Sequence, residues 1–219
     1  MPRAERPLIM LIRMALPTVI VSHAAFSIEE PWAIPNGSES VALRRAADGG
    51  QPRLPTDLFL FRDSECLHVL FHSIDDGVVA THLCHDAPLY EEDVVEAFLA
   101  PGEPVRYYEI EVNPLGTTFD ARVDSPDGVR KTMKIDLSWE CVNLFAAVRK
   151  VPGVVDTIVR IPFASLGAPP PKSGDAWRAN FFRIDRSPSR GDEYSAWQPT
   201  MKNPADFHVA AAFGRLVFA

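Results

Sequence analysis

A chain of 219 residues with 22 Lys+Arg against 29 Asp+Glu carries a net charge of -7, and 47% of its residues are hydrophobic. That composition belongs to a folded chain with length for a real core, in one domain or at most two small ones, and not to a disordered one. The acidic balance, with no Lys/Arg block, argues against sequence-independent nucleic-acid binding and against docking on an anionic membrane surface.

Twenty prolines against twelve glycines argue against a helix-dominated bundle and suit short extended segments joined by turns. At the N-terminus, Arg3 and Arg6 precede an apolar stretch over 8–21, followed by Ser22-His23-Ala24. This loosely mimics a secretory leader with a small-residue cleavage site, but Arg13 and Pro17 interrupt it, and it is too short to span a bilayer. We therefore read 1–16 as an N-terminal extension and 17–219 as one domain.

Period-2 alternation then recurs along the chain. Over 66–74 it places Leu67, Val69 and Phe71 on one face, a half-buried strand pattern. Asp75-Asp76-Gly77 predicts a turn, with 78–84 as the returning strand. Further strands are expected over 40–45, 57–61, 94–99, 105–112, 117–123, 140–148, 155–161, 176–184 and 215–218, separated by Pro-, Gly- and Asn-rich turns. A single helical turn is expected at 164–167. About a dozen short strands without intervening long helices predict an all-β fold, an antiparallel β-sandwich of two sheets.

The three cysteines, Cys66, Cys84 and Cys141, fit neither a zinc motif nor a disulfide framework and read as small buried or half-buried thiols. His68 and His72 share one strand face, and His82, Cys84 and His85 lie on or just past the expected partner strand. That invites a metal site, or a haem held by histidine and Met133 or Met201. No recognised ligand spacing appears, and strand histidines explain the pattern more simply. Gly-rich phosphate loops, G-x-S-x-G and H-E-x-x-H motifs are missing from the sequence.

The densest run of chemistry is Asp86-Ala-Pro-Leu-Tyr90-Glu91-Glu92-Asp93-Val-Val-Glu96-Ala-Phe98. Glu91 and Glu92 read as a solvated turn. Glu96 shares its strand face with Val94 and Phe98, where a buried carboxylate needs a partner or a ligand. Glu109 and Glu111 lie together on another strand face and could complete a hydrolytic pair, although an exposed face explains them more simply. Tyr90 and Trp197 sit in loop contexts where an aromatic ring can meet the apolar face of a pyranose, and Asn180 and Arg183 could serve its hydroxyls.

Several stretches together resemble family 9 carbohydrate-binding modules, within the DOMON-like, immunoglobulin-like group of sandwiches. They are the 86–99 run, Tyr107-Tyr-Glu-Ile-Glu-Val-Asn-Pro114 with Gly116, Arg160-Ile-Pro-Phe-Ala-Ser-Leu166, Trp177-Arg-Ala-Asn-Phe-Phe-Arg183 and the closing Phe207-His208 with Phe213-Gly214. The resemblance implies a non-catalytic module, linked to carbohydrate catabolism, that stacks a mono- or oligosaccharide between two aromatic side chains. On this chain those would be Tyr90, where the family often has tryptophan, and Trp197, with Glu96, Asn180 and Arg183 as polar contacts. It also implies structural calcium, whose ligands it does not place, a frequent glycoside hydrolase partner and a secreted setting. The alternatives carried forward are a haem-binding electron-transfer sandwich and a hydrolase using the acidic strand.

Overall fold

The computed structural model describes residues 16–219. Among the described residues there are fourteen strands: β1 (Thr18–His23), β2 (Ser40–Ala42), β3 (Arg44–Arg45), β4 (Thr56–Arg62), β5 (Cys66–Ile74), β6 (Val94–Ala100), β7 (Arg106–Val112), β8 (Thr118–Asp124), β9 (Lys134–Asp136), β10 (Phe145–Val151), β11 (Val154–Pro162), β12 (Ala176–Asp185), β13 (Glu193–Ala196) and β14 (Gly214–Phe218). Their hydrogen bonding follows one path, β10-β11-β5-β4-β1-β14-β12-β6-β7-β8-β9. That path folds into two layers at β1. Thr18–Val21 pairs in parallel with β14, and Ser22 and His23 pair in parallel with β4; the remaining pairings are antiparallel.

The alternation read from the sequence sets the core. Leu67, Val69 and Phe71 of β5 and Leu58 and Leu60 of β4 point from one layer toward Ala97 and Leu99 of β6, Ile110 of β7, and Ala179 and Phe181 of β12 on the other. The second layer is apolar on its outer face too. Val94, Phe98, Tyr107, Phe119, Phe182 and Ile184 pack there beneath Leu89, Phe207 and Phe213, which come from loops. Strand β6 is consequently buried along its whole length, and any polar residue on it is closed off from bulk water.

The expected sandwich and most of its strands are present; β1, β9 and β13 come in addition to the expected strands, 164–167 is a turn rather than a helical turn, and other segments differ. Residues 78–84 do not form the returning strand: Val78 and Leu83 are exposed, and β5 pairs instead with β4 and β11. The 78–84 backbone is held by side chains, Asp93 accepting from Val79 N at 2.6 Å and Asn113 Nδ2 donating to His82 O at 2.9 Å. That removes the expected ladder between His68 and Cys84 or His85. His68 is instead fully buried between the rings of Phe26 and Phe61, with Nε2 2.9 Å from Asp63. The strand expected over 140–148 starts later, as β10. Part of the leader-like apolar stretch falls on residues 1–15, outside the described residues; its remainder lies in β1, where Val19 and Val21 are fully buried core.

All three cysteines are free. Cys66 and Cys141 are buried, and burial pushes their thiols up to about 11 and about 12, whereas Cys84 is exposed.

Candidate ligand-binding cleft

On the outer face of the second layer a cavity of about 610 Å³ opens between loops. Its walls carry Tyr90, Phe119, Tyr194 and Phe207, and its floor carries Glu96 and Glu109. A larger hollow of about 730 Å³, running along Glu103–Val105 and Ser125–Gly128, has no aromatic lining.

Tyr90 reaches the rim because of a short 3-10 turn. Leu89–Glu91 follows Pro88, buries Leu89 in the outer apolar cluster and turns the Tyr90 ring outward, leaving it 48% exposed. Phe119 on β8 meets that ring edge-on at 6.2 Å between centroids. Tyr194 on β13 closes another part of the wall, with Arg186 stacked on its ring at 5.4 Å. The Arg186 guanidinium ties the rim together by donating to Tyr90 O, Tyr194 Oη and Asp192, each at 2.6 Å.

The floor is made by strand register. Glu96 of β6 lies opposite Glu111 of β7, and Phe98 lies opposite Glu109. Alternation sends all three carboxylates to the outer face, with oxygens within 4.8 Å of one another. Each residue is at most 5% exposed. Burial, reinforced by the neighbouring acids, raises Glu96 and Glu111 well above the usual carboxylate range, and burial pushes Glu109 up to about 7. Glu96 Oε1 and both Glu111 oxygens have no hydrogen-bond partner. Beside them, His208 Nδ1 lies 2.8 Å from Tyr107 Oη, and its Nε2 lies 3.8 Å from Glu109. Burial lowers His208 to about 4, so the ring is neutral at physiological pH.

The structure thus brings two of the five expected site residues, Tyr90 and Glu96, into one cavity and places the other three elsewhere. Trp197 is 7% exposed and packs against Phe181 in the core between the layers, so it does not face Tyr90. The reason is strand phase: in β13 the side chains of Tyr194 and Ala196 go to the outer cluster, and the next inward position is Trp197. Asn180 is fully buried and clips β12 to the following loop, donating to Gln198 O and accepting from Gln198 N. Arg183 points to the opposite face of β12. It bridges Asp75 and Asp185, both at 3.0 Å, and donates to Ile74 O at 2.7 Å. Glu109 and Glu111, expected on an exposed face, are floor residues because the outer face of β7 is covered.

The calcium implied by the resemblance finds poorly matched donor sets. In the Asp75, Asp93 and Asp185 cluster, Arg183, Arg53 and the amides of Gly77, Val79 and Arg186 already serve every carboxylate oxygen. Between Asp86, Asp120 and Glu140 the His85 ring occupies the centre, 3.1 Å from Glu140 and 3.4 Å from Asp86. The Glu96, Glu109 and Glu111 set has free oxygens, but the cavity around it also carries the cations Arg130 and Arg186 and the His208 ring, a mixed lining rather than the all-oxygen shell calcium takes.

A β-sandwich that opens an aromatic-walled, carboxylate-floored cleft on one outer face defines a ligand-binding module. The chain belongs to carbohydrate-binding family 9, whose model matches residues 58–218. Two solved family 9 modules from Caldicellulosiruptor kristjanssonii share the fold. One, in complex with cellotriose, has a TM-score of 0.67 at 14% identity over 92% of this chain and 93% of that one. The other, in complex with glucose, has a TM-score of 0.67 at 15% identity over 92% and 95%. An extracellular protein of Arthroderma benhamiae is 28% identical over 141 residues, which span 59% of this chain and 62% of that relative's length.

Proposed function

We propose that the cleft between Tyr90, Phe119, Tyr194 and Phe207 is the carbohydrate site, and that it binds without turnover. The observation that carries this reading is the meeting, in one cavity, of an exposed tyrosine face with a buried carboxylate, Glu96, one of whose oxygens lacks a partner. Pyranose rings offer an apolar C–H face to aromatic walls, and their hydroxyls donate to carboxylates. Tyr90 is the stacking residue and Glu96 the hydroxyl acceptor. Arg186 is a positioning residue that fixes Tyr90 and Tyr194 relative to each other.

The floor is unlike a hydrolytic pair. Glycosidase carboxylates flank the scissile bond from two sides, whereas Glu96, Glu109 and Glu111 sit together on one sheet surface. The solved relatives hold glucose and cellotriose, which makes glucose-containing saccharides the first ligands to try. A glycoside hydrolase partner, a role in carbohydrate catabolism and an extracellular setting belong to the same reading; the extracellular description of the fungal relative supports the last.

Calorimetric titration of the protein with glucose and cellotriose tests the site. Tyr90→Ala should weaken binding by about tenfold or more, on the scale of a lost ring stack, with the melting temperature little changed because the ring is half exposed. Saturable sugar binding that is indifferent to Tyr90→Ala would move the site elsewhere on the molecule.

A further inference from the structure

We propose that the floor of the cleft receives a primary ammonium group, so that the ligand this module prefers is an amino sugar. The inference rests on the cleft being the carbohydrate site.

Apart from the protons the acids themselves retain, the floor is short of donors. Glu96 and Glu111 are 2% and 0% exposed; Glu96 Oε1 has no partner, and Glu111 is met only by the Glu109 carboxyl and the Tyr90 backbone, at the limit of hydrogen-bond geometry. Glu96 and Glu109 line the cavity, and Glu111 lies behind them, opposite Glu96 on the β6–β7 rung. The cations nearby are already engaged: Arg186 with Asp192, Tyr194 and Tyr90, and Arg130 with Asp206 at 2.9 Å. His208 is neutral and directs Nε2 toward Glu109 from 3.8 Å.

A buried acceptor without a donor is costly, and several together ask for a group with several donors and a positive charge. A sugar hydroxyl brings a single donor. An ammonium brings three, at about 2.8 Å from each acceptor, and the charge as well. One oxygen from each of Glu96, Glu109 and Glu111 lies within 4.8 Å of the others, a spacing that one such nitrogen can bridge. The walls argue for an organic cation over a metal ion. They offer aromatic faces, and the cavity of about 610 Å³ has the size of organic-ligand sites.

Burial favours the protonated forms of the three acids, Glu109 titrating near 7. An incoming ammonium favours their ionised forms, so binding should release protons. The groups that face this event are Glu96 from β6, Glu109 and Glu111 from β7, Arg130, Arg186 and the Asp206–His208 segment.

The test is calorimetric titration of the full chain with glucosamine, glucose and N-acetylglucosamine at pH 7, in two buffers of different ionisation enthalpy, repeated at pH 5.5. Glucosamine should bind about tenfold or more tighter than glucose, as a charge-assisted contact would give, and the heat should depend on the buffer. N-acetylation should remove the advantage, and so should pH 5.5, where the floor stays protonated. The glucosamine-to-glucose affinity ratio should fall toward one in Glu96→Gln and in Glu111→Gln. Should either variant fail to fold, the wild-type comparison and its buffer dependence decide alone. Equal affinity for glucose and glucosamine would overturn the ammonium site and leave the carbohydrate cleft standing. No binding of any of the three sugars would overturn both. Saturable binding of calcium alone, lost in Glu111→Gln, would overturn it in favour of a metal floor.

Discussion

Glu96 and Glu111 face each other across one rung between β6 and β7, two buried acids in direct cross-strand register on the face that floors the cleft. Like charges in that position repel, and neither can ionise without a counter-charge.

The acidic floor gives stability a direction with pH. Glu109 titrates near 7 in the folded protein against 4.5 ordinarily. Its folded value is raised, so its contribution is fully present below 4.5 and is lost as pH rises through about 7. Asp93 and Asp120, each pushed up to about 6 mainly by burial, act in the same sense. Thermal unfolding should therefore show a falling melting temperature from pH 5 to pH 8. Glu109→Gln should flatten that slope and stabilise the fold at pH 8 by on the order of 1–3 kcal/mol. A slope unchanged in the variant would show that Glu109 is ionised in the native cleft.

Trp197 is a packing residue. An added Cβ at Gly214 would approach its ring to 2.4 Å, and the ring leans on Phe181. Trp197→Ala should cost about 3–5 kcal/mol, and Gly214→Ala about 1–3 kcal/mol by overpacking, both read by denaturant unfolding. The fraction that remains folded should bind sugar with wild-type affinity.

Arg183 closes a buried charge network. Its loss leaves Asp75 and Asp185 without their shared cation inside the protein. Arg183→Met should destabilise by about 3–5 kcal/mol at pH 7. The loss should shrink in acid, where Asp185, raised by burial, takes up a proton, and sugar titration of the folded variant should show an intact cleft.

Thiol titration should separate the cysteines cleanly. Cys84 is exposed while Cys66 and Cys141 are buried with raised thiols, so the native protein should react at one site and the denatured protein at three. Rapid native reaction of a second thiol would contradict the packing of β5 or of the 140–144 turn.

The fold was legible wherever alternation was strong and one-sided, as in β5, where Leu67, Val69 and Phe71 point inward as expected. It misled at 78–84, where the Asp75-Asp76-Gly77 turn suggested a hairpin but the chain after it leaves the sheet, and Leu83 is left in solvent. The site was half legible. Glu96 stood out as an acid on an apolar strand face. Its partners Glu109 and Glu111 did not, because their burial comes from loops that cross the outer face from far along the chain. Tyr194 was hidden for a different reason. A four-residue strand gives too few positions to fix its phase, and the nearby Trp197 is the larger ring. The pairing of Tyr194 with Ile184, which shares its face, is the signal that places it in the wall.

Strand β1 is the seam of the sandwich, and its partners set an order of events. Thr18 pairs with Arg215 and Val21 with Phe218, while the next two residues pair with β4. The hydrogen-bonded seam between the layers therefore cannot close during synthesis until β14 has been made, almost two hundred residues after β1. Contacts so remote in sequence close slowly, and the wait leaves open strand edges in view of other chains. A nascent chain of this architecture needs shelter until its last strand arrives, and changes that slow the pairing of Thr18–Val21 should show first as poor yield rather than as weak binding.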